Sequence, residues 1–400
     1  MKRTQTRLQP LLCAGLLSLV AISAAKAGGF SRGSADIDTL FEEENFDLRV
    51  DARVVVPTQK FSVNANPALV GTNFYDPYVI PSVALKFNIS DPFRCEGTFT
   101  ESNGASLDYA APKIPTGTTH EVFTTNEFGA ACLVRFDAGP GVFSLIGGVF
   151  SEDLDYDRVT DLSIPTGGLL PAGTPATLKL DGQEYGWRAG LAYEIPEIKA
   201  RAELLYRSGT DYGATGTLTV PGALVGAPAA GFVNLPATAE GHLPQSVEFM
   251  VRSGVAPTWL VFADVKWTDW SVQKALIVTS PLGVTADQYN WRDGWTVTGG
   301  VVHSFGDQFA GQVSLTYDEG VGTGWNIAGA GDIWTLAIGG RLRGPKGGEF
   351  RGGIGLSYLD SVTETQYANA IIPGNIRSGF NAATDSGFAA TFAMGYIIQW

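Results

Sequence analysis

Few residues in this chain have types and spacings that could do chemistry, and each fails on its surroundings. Gly29-Phe30-Ser31-Arg32-Gly33 fits the Gly-x-Ser-x-Gly pattern that presents a serine nucleophile on a strand-to-helix elbow. No strand precedes it and no helical period follows, so the match carries no nucleophile. Asp153, Asp155 and Asp157 have the alternating spacing of a calcium loop, but Arg158 stands where the turn glycine belongs and Ile164 where the bidentate glutamate belongs. His120, His242 and His303 are dispersed, with no zinc spacing. A barrel-wall lipase needs a serine beside a histidine, and no serine can be matched to His303 from the sequence. The expectation is therefore no enzyme, no metal and no cofactor. Cys95 and Cys132 remain as either a disulfide or two small residues on an apolar surface.

The ends of the chain say where such residues are placed. Lys2, Arg3 and Arg7 precede an apolar run at 11–22 that is too short to span a bilayer, and Ala25-Lys26-Ala27 is a small-x-small cleavage site. Residues 1–27 read as a cleaved secretory leader. Cys13 lies within that run without a lipidation signal. The full chain has 27 basic and 40 acidic residues; removing the leader's four cations leaves a formal charge of about −17. That acidity excludes nucleic acid as a partner, because binding a phosphate backbone needs clustered Lys and Arg. At the other end Ala390, Phe392, Met394, Tyr396, Ile398 and Trp400 share one parity, so the chain closes on a strand with a continuous apolar face.

The first strand shows the same division. Phe46, Leu48, Val50, Ala52, Val54 and Val56 form one face, and Asp47, Arg49, Asp51 and Arg53 form the other. Fourteen period-2 segments can be traced, at 46–56, 79–89, 93–100, 122–136, 141–151, 185–195, 198–209, 246–255, 259–270, 294–305, 309–318, 333–342, 349–359 and 388–400. Short turns such as Ser90-Asp91-Pro92, Pro196-Glu197 and Gly344-Pro345-Lys346-Gly347 alternate with long gaps near 57–78, 101–121, 152–184, 210–245, 271–293, 319–332 and 360–387. An even strand number, apolar and polar faces, and loops long on one side predict an all-β fold. It is a 14-stranded antiparallel transmembrane β-barrel of the Gram-negative outer membrane, with residues 45–400 forming the cylinder. Residues 28–44 precede the first strand without alternating. They start on the periplasmic side, where they either hang free or fold into the lumen; Phe30, Ile37, Leu40 and Phe41 favour an N-terminal plug. Such a barrel has outer-membrane lipid, lipopolysaccharide and the barrel-assembly machinery as partners.

Leu243-Pro244-Gln245-Ser246-Val247-Glu248 runs through Ala256-Pro257-Thr258-Trp259 to Trp267-Thr268-Asp269-Trp270-Ser271. Trp291-Arg292-Asp293-Gly294-Trp295 and Thr316-Tyr317-Asp318 follow, and Tyr185-Gly186-Trp187 through Tyr206-Arg207-Ser208 precedes them. In this order the three stretches resemble the long-chain fatty-acid transport porins, the FadL/TodX family of outer-membrane hydrophobic-compound transporters. One feature departs from the pattern. The family's plug carries Asn-Pro-Ala just before the first strand, whereas Asn66-Pro67-Ala68 here follows that strand.

The resemblance implies passive uptake of hydrophobic small molecules, with fatty acids first and aromatic hydrocarbons next. The implied path starts at a groove among the outer loops, enters a pocket in the upper lumen and leaves sideways where the third strand kinks. By position against the family, Arg158 and Arg292 are the candidate cations for a carboxylate, set against local pairing with Asp157 and Asp293. Phe30 would fill or sense the pocket. Leu169, Leu170 and Pro171 of the third long loop, with Val225, Phe232 and Leu235 of the fourth, would line the groove or pack the loops together. Gly97 would permit the kink, although barrel curvature also explains it. A general diffusion porin and a structural or adhesive barrel remain the alternatives.

Overall fold

The computed structural model describes residues 28–227, 231–344, 348–366 and 382–400. The leader at 1–27 and parts of the 344–347 turn and the 360–387 loop lie outside the described residues. Fourteen strands close into an antiparallel cylinder. They are β1 Phe46–Thr58, β2 Tyr78–Ser90, β3 Phe93–Asp108, β4 Thr118–Ala138, β5 Gly141–Asp161, β6 Pro175–Ile195 and β7 Ala200–Arg207. After these come β8 Ser246–Ala256, β9 Trp259–Thr268, β10 Gly294–Ser304, β11 Phe309–Asp318, β12 Ile333–Arg343, β13 Glu349–Leu359 and β14 Gly387–Gln399.

Closure is made by β1 and β14, which pair from Asp47–Gln399 to Thr58–Phe388. Phe46 and Trp400 exchange backbone hydrogen bonds of 3.0 and 3.2 Å, and their rings stack with centroids 5.4 Å apart. Registered neighbours then set a continuous apolar belt. Val313, Ile338, Ile354, Phe392, Val54 and Val79 lie side by side on successive strands, and all are exposed on the outer face. Aromatic pairs edge this belt at both margins. Phe99–Phe128, Trp187–Tyr206 and Tyr317–Trp334 lie toward the long loops, and Phe350–Tyr396 lies toward the short turns.

Inside, the charged parity of each strand meets the amino-terminal segment. Ile37–Phe41 forms a 3-10 turn whose Ile37, Leu40 and Phe41 pack on the inward-facing Ala131, Leu133, Ile146 and Ala192. Its polar neighbours are held from several strands. Fully buried Arg49 of β1 reaches Asp36 at 3.1 Å, Glu42 at 2.7 Å and Asp47 at 3.1 Å. Arg94 of β3 donates to the carbonyls of Leu40 and Glu42 at 3.2 and 2.7 Å. Arg201 of β7 pairs with Asp38 and lies 3.9 Å over the Phe41 ring. These contacts hold the 3-10 turn and its flanks against the inward faces of β1, β3, β4, β5, β6 and β7.

The gaps at 101–121, 152–184, 210–245 and 271–293, read from sequence as loops, are largely strand. β3, β4, β5 and β6 run 16 to 21 residues, well beyond what a bilayer needs. Two further hairpins, Thr210–Pro221 with Phe232–Leu243 and Ala275–Ser280 with Gly283–Gln288, extend the same sheet. Gly and Pro in these stretches mark bends of extended chain as well as turns. The belt makes a direct prediction. Ile338→Arg, on the lipid face midway along β12, should cost about 2–4 kcal/mol, measured by urea unfolding from liposomes. An unchanged stability would mean that this face does not meet lipid.

Candidate functional site

Beyond the outer aromatic ring the strands continue but their two faces exchange character. On β5, Leu145 and Val149 face outward within the belt, and Asp153, Asp155 and Asp157 take that face above it. The inward parity passes from Ser144 and Glu152 to the buried Leu154 and Tyr156. β6 does the same: Trp187 and Leu191 give way outward to Gln183, Asp181 and Lys179, while Arg188 gives way inward to Leu180 and Leu178. The cause is the change of surroundings. Lipid takes apolar side chains outward; above the bilayer, water takes the acids and the apolar face turns to the interior. The three aspartates are therefore the outward face of a strand paired on both sides, not a loop. Gln183 donates to Asp153 at 2.6 Å and Lys179 to Asp157 at 2.7 Å.

The inward apolar faces enclose a chamber above the polar lumen. Phe123, Leu154, Tyr156 and Leu180 line it from the long strands, with Tyr212, Ala214, Ala239 and Leu276 from the two added hairpins. Phe30 stands in it. Its ring centroid is 4.8 Å from Trp291, 5.2 Å from Phe123, 5.4 Å from Tyr289 and 6.1 Å from Trp270. With Phe30 in place the free volume is only about 30 Å³. Gly29 makes the approach possible: its φ is +57°, and a Cβ there would lie 2.6 Å from the Trp291 ring. A second apolar cluster of Phe61, Leu69, Phe74 and Ile327 covers the chamber from the loops.

The polar groups of the chamber are few. Lys113, Glu121, Gln273 and Asn326 lie along its lining, and the Tyr156 hydroxyl donates to Glu121 at 2.7 Å. Trp270 and Trp291 pack behind Phe30 without bordering the chamber, and their buried indole N–H groups have no acceptor among the described residues. Below, a polar cavity of about 310 Å³ borders Arg53, Glu127, Arg188, Arg252 and Arg351. The apolar space therefore ends on a charged floor. Among the described residues no group of three His, Cys, Asp or Glu side chains is placed to hold a metal.

The residues singled out from sequence are not all brought together. Arg158, inward on β5, pairs with Asp287 at 2.9 Å rather than with Asp157. Half-exposed Arg292 pairs with Glu319 at 2.8 Å and donates to the Gly320 carbonyl at 2.8 Å rather than meeting Asp293, which accepts from the Trp267 indole. Neither borders the chamber. Leu169 is 87% exposed at a loop tip, Val225 and Phe232 are exposed, and Leu170 is half-buried. Leu235 turns inward opposite Leu218, short of the chamber. Gly97 sits in unbroken register between Leu85 and Ala130; the irregularity of β3 falls at Glu101–Asn103, where Ser102 has no counterpart on β4. Its hydroxyl donates to Glu152 at 2.9 Å, and Arg207 holds that carboxylate at 2.6 Å. Cys95 and Cys132 face each other in register and are joined by a disulfide. Sequence reasoning missed Phe123, Tyr156, Tyr212 and Tyr289, and it singled out Trp270 and Trp291 only as motif residues, not as the neighbours of Phe30. The signal was present as alternation at 153–158, masked by reading that stretch as loop.

Comparison with known proteins agrees with this architecture. Residues 132–321 match the family described as outer membrane protein transport protein, OMPP1/FadL/TodX. The chain is 24% identical over 339 residues to the long-chain fatty acid transport protein of Salmonella typhi, covering 74% of this chain and 72% of that one. Among solved structures, a Pseudomonas aeruginosa FadL homologue superposes with a TM-score of 0.75 at 13% identity, covering 93% of this chain and 100% of that chain. The Pseudomonas putida toluene transporter TodX does so with a TM-score of 0.60 at 14% identity, covering 94% and 97%.

Burial also sets the acid–base behaviour of the chamber. It pushes the Tyr212 phenol up to about 12 and holds those of Tyr109, Tyr156 and Tyr289 well above their usual value. An unfolded chain would release these protons near pH 10, so the associated stability is complete below that pH and is lost as pH rises toward 12. Tyrosinate absorbance should therefore grow in two stages, exposed residues first and the chamber four only with loss of near-ultraviolet circular dichroism. A single stage centred near pH 10 would contradict a dry chamber.

Proposed function

We propose that this chain, a member of the OMPP1/FadL/TodX family of outer-membrane transport proteins, carries hydrophobic small molecules passively, with long-chain fatty acids as cargo. The observation that supports the reading most is the apolar chamber stacked on a charged lumen. A fatty chain gains by leaving water for such a space, and it gains nothing by descending into the polar cavity beneath. Exit is therefore sideways through the wall, and residues 28–44 act as the plug that blocks the direct path. The relatives of similar sequence are named for long-chain fatty acids, and the Lys113, Gln273 and Asn326 side chains along the lining suit an oxygen-bearing head group.

A second cargo class, aromatic hydrocarbons, is favoured by one specific observation: the aromatic box already accepts the uncharged ring of Phe30 on four sides. The two cargoes differ in what they ask of the cations. Arg158 and Arg292 stand outside the chamber, so in this reading they meet the cargo carboxylate on its way in, each exchanging its present carboxylate partner for that of the cargo.

Purified Arg158→Ala/Arg292→Ala protein should fold, bind a fatty acid about tenfold more weakly, and bind toluene unchanged. Equal fatty-acid affinity in mutant and wild type would remove the anchor role. Uptake of labelled oleate by a deletion strain should fall and be restored by the gene; unaltered uptake would favour an adhesive or structural barrel. In planar bilayers the protein should conduct small ions poorly, whereas steady large conductance would point to a general porin.

A further inference from the structure

The chamber carries one polar group that its own fold leaves unused. Gln273 follows the 3-10 turn Trp270–Val272 and borders the chamber just before the Ala275–Ser280 strand. Its backbone is fixed on both sides: the amide donates to the Trp270 carbonyl at 3.0 Å, and the carbonyl accepts from the Trp291 amide at 3.3 Å. The residue is 1% exposed, and its side-chain Oε1 accepts no hydrogen bond among the described residues. The Tyr212 phenol is its hydrogen-bonding neighbour on the lining. A side-chain amide has two N–H donors, so Tyr212 leaves one of them beside the unused oxygen. An amide left short of partners in a dry site is costly, and a ligand that pairs with it is favoured. Resting on the chamber as the cargo site, we infer that Gln273 reads the cargo head group, and that a fatty acid occupies the chamber as the undissociated acid.

The chemistry of the match is specific. A carboxylic acid gives its O–H to an amide oxygen and accepts an amide N–H on its own carbonyl, closing a ring of two hydrogen bonds. A carboxylate has no proton for Oε1 and meets it oxygen to oxygen. The charges nearby already cancel. Lys113 and Glu121 are the charged residues of the lining, and the Arg158–Asp287 pair lies just outside it. The other titratable lining groups, the phenols of Tyr109, Tyr156, Tyr212 and Tyr289, are held neutral by burial. A cargo carboxylate would therefore bring a net charge into a space that is kept free of it, and burial disfavours that form strongly. On leaving the outer arginines the carboxylate takes one proton from the surrounding water, and the neutral acid enters.

Titration of the purified full-length protein with ten-carbon ligands at about pH 8 tests this. Decanamide is neutral and presents the same donor and acceptor as the acid, whereas decanesulfonate keeps its charge. Wild type should bind decanamide about tenfold more tightly than the sulfonate. Gln273→Leu should weaken decanamide binding about tenfold, the scale of two hydrogen bonds, and leave the sulfonate unchanged. Decanoic acid should bind more weakly as pH rises from about 5 to 8, where it ionises, while decanamide affinity stays constant. Sulfonate binding as tight as that of the amide would overturn the neutral-acid inference, and this comparison needs no variant to fold. Equal decanamide affinity in wild type and Gln273→Leu would overturn the role of Gln273. Either result leaves the transport reading standing. If wild type binds none of the three ligands, the transport reading fails and the head-group role with it.

Discussion

A bilayer offers no water to a backbone amide, so every strand that crosses it must find partners on both sides, and the sheet has to return to its own first strand. That requirement is met where Phe46 and Trp400 bond to each other and β1 runs alongside β14. Once the sheet is a cylinder, alternation of side chains fixes the rest. One parity meets lipid and the other faces a lumen too narrow to leave charges without partners. The Arg49 cluster with Asp36, Glu42 and Asp47 is a direct result: breaking such a buried set costs about 3–5 kcal/mol, and two of its acids come from the amino-terminal segment. The segment is held by the charges that the cylinder could not expose.

The chamber follows from extending the same strands past the membrane. β5 and β6 keep their pleat across the aromatic ring, and only the solvent outside them changes. An apolar outer face becomes polar between Val149 and Asp153 on β5 and between Trp187 and Gln183 on β6, while the inner face turns apolar from Leu154 and Leu180 onward. No separate domain is needed to build a dry site above a wet one. Phe30 then supplies the ring that closes the space, delivered by a glycine whose left-handed backbone lets the chain pass against Trp291.

Period-2 patterning made the fourteen strands and their sidedness readable, because lipid imposes a strict rule on one face. Above the membrane that rule lapses, so Asp153 to Asp157 looked like loop although they continue β5. The bulge at Ser102 was equally hidden: it depends on Glu152 and Arg207 from other strands, and nothing local marks it. Arg158 and Arg292 were found as cations, but their partners Asp287 and Glu319 are 129 and 27 residues distant. Phe30 could be suspected from its place near the start of the segment. The burial of Arg32 could not, since its partners Glu101 and Tyr78 come from β3 and β2.

The bond between Cys95 and Cys132 gives the wall unequal flanks. Sliding β3 along β4 would mean rupturing a covalent link, whereas peeling β3 from β2 asks only for the loss of hydrogen bonds over a short overlap. Thermal breathing of this stretch is therefore channelled to one edge. The barrel behaves there less like an elastic hoop than like a door hung on a fixed post, with its free margin toward β2.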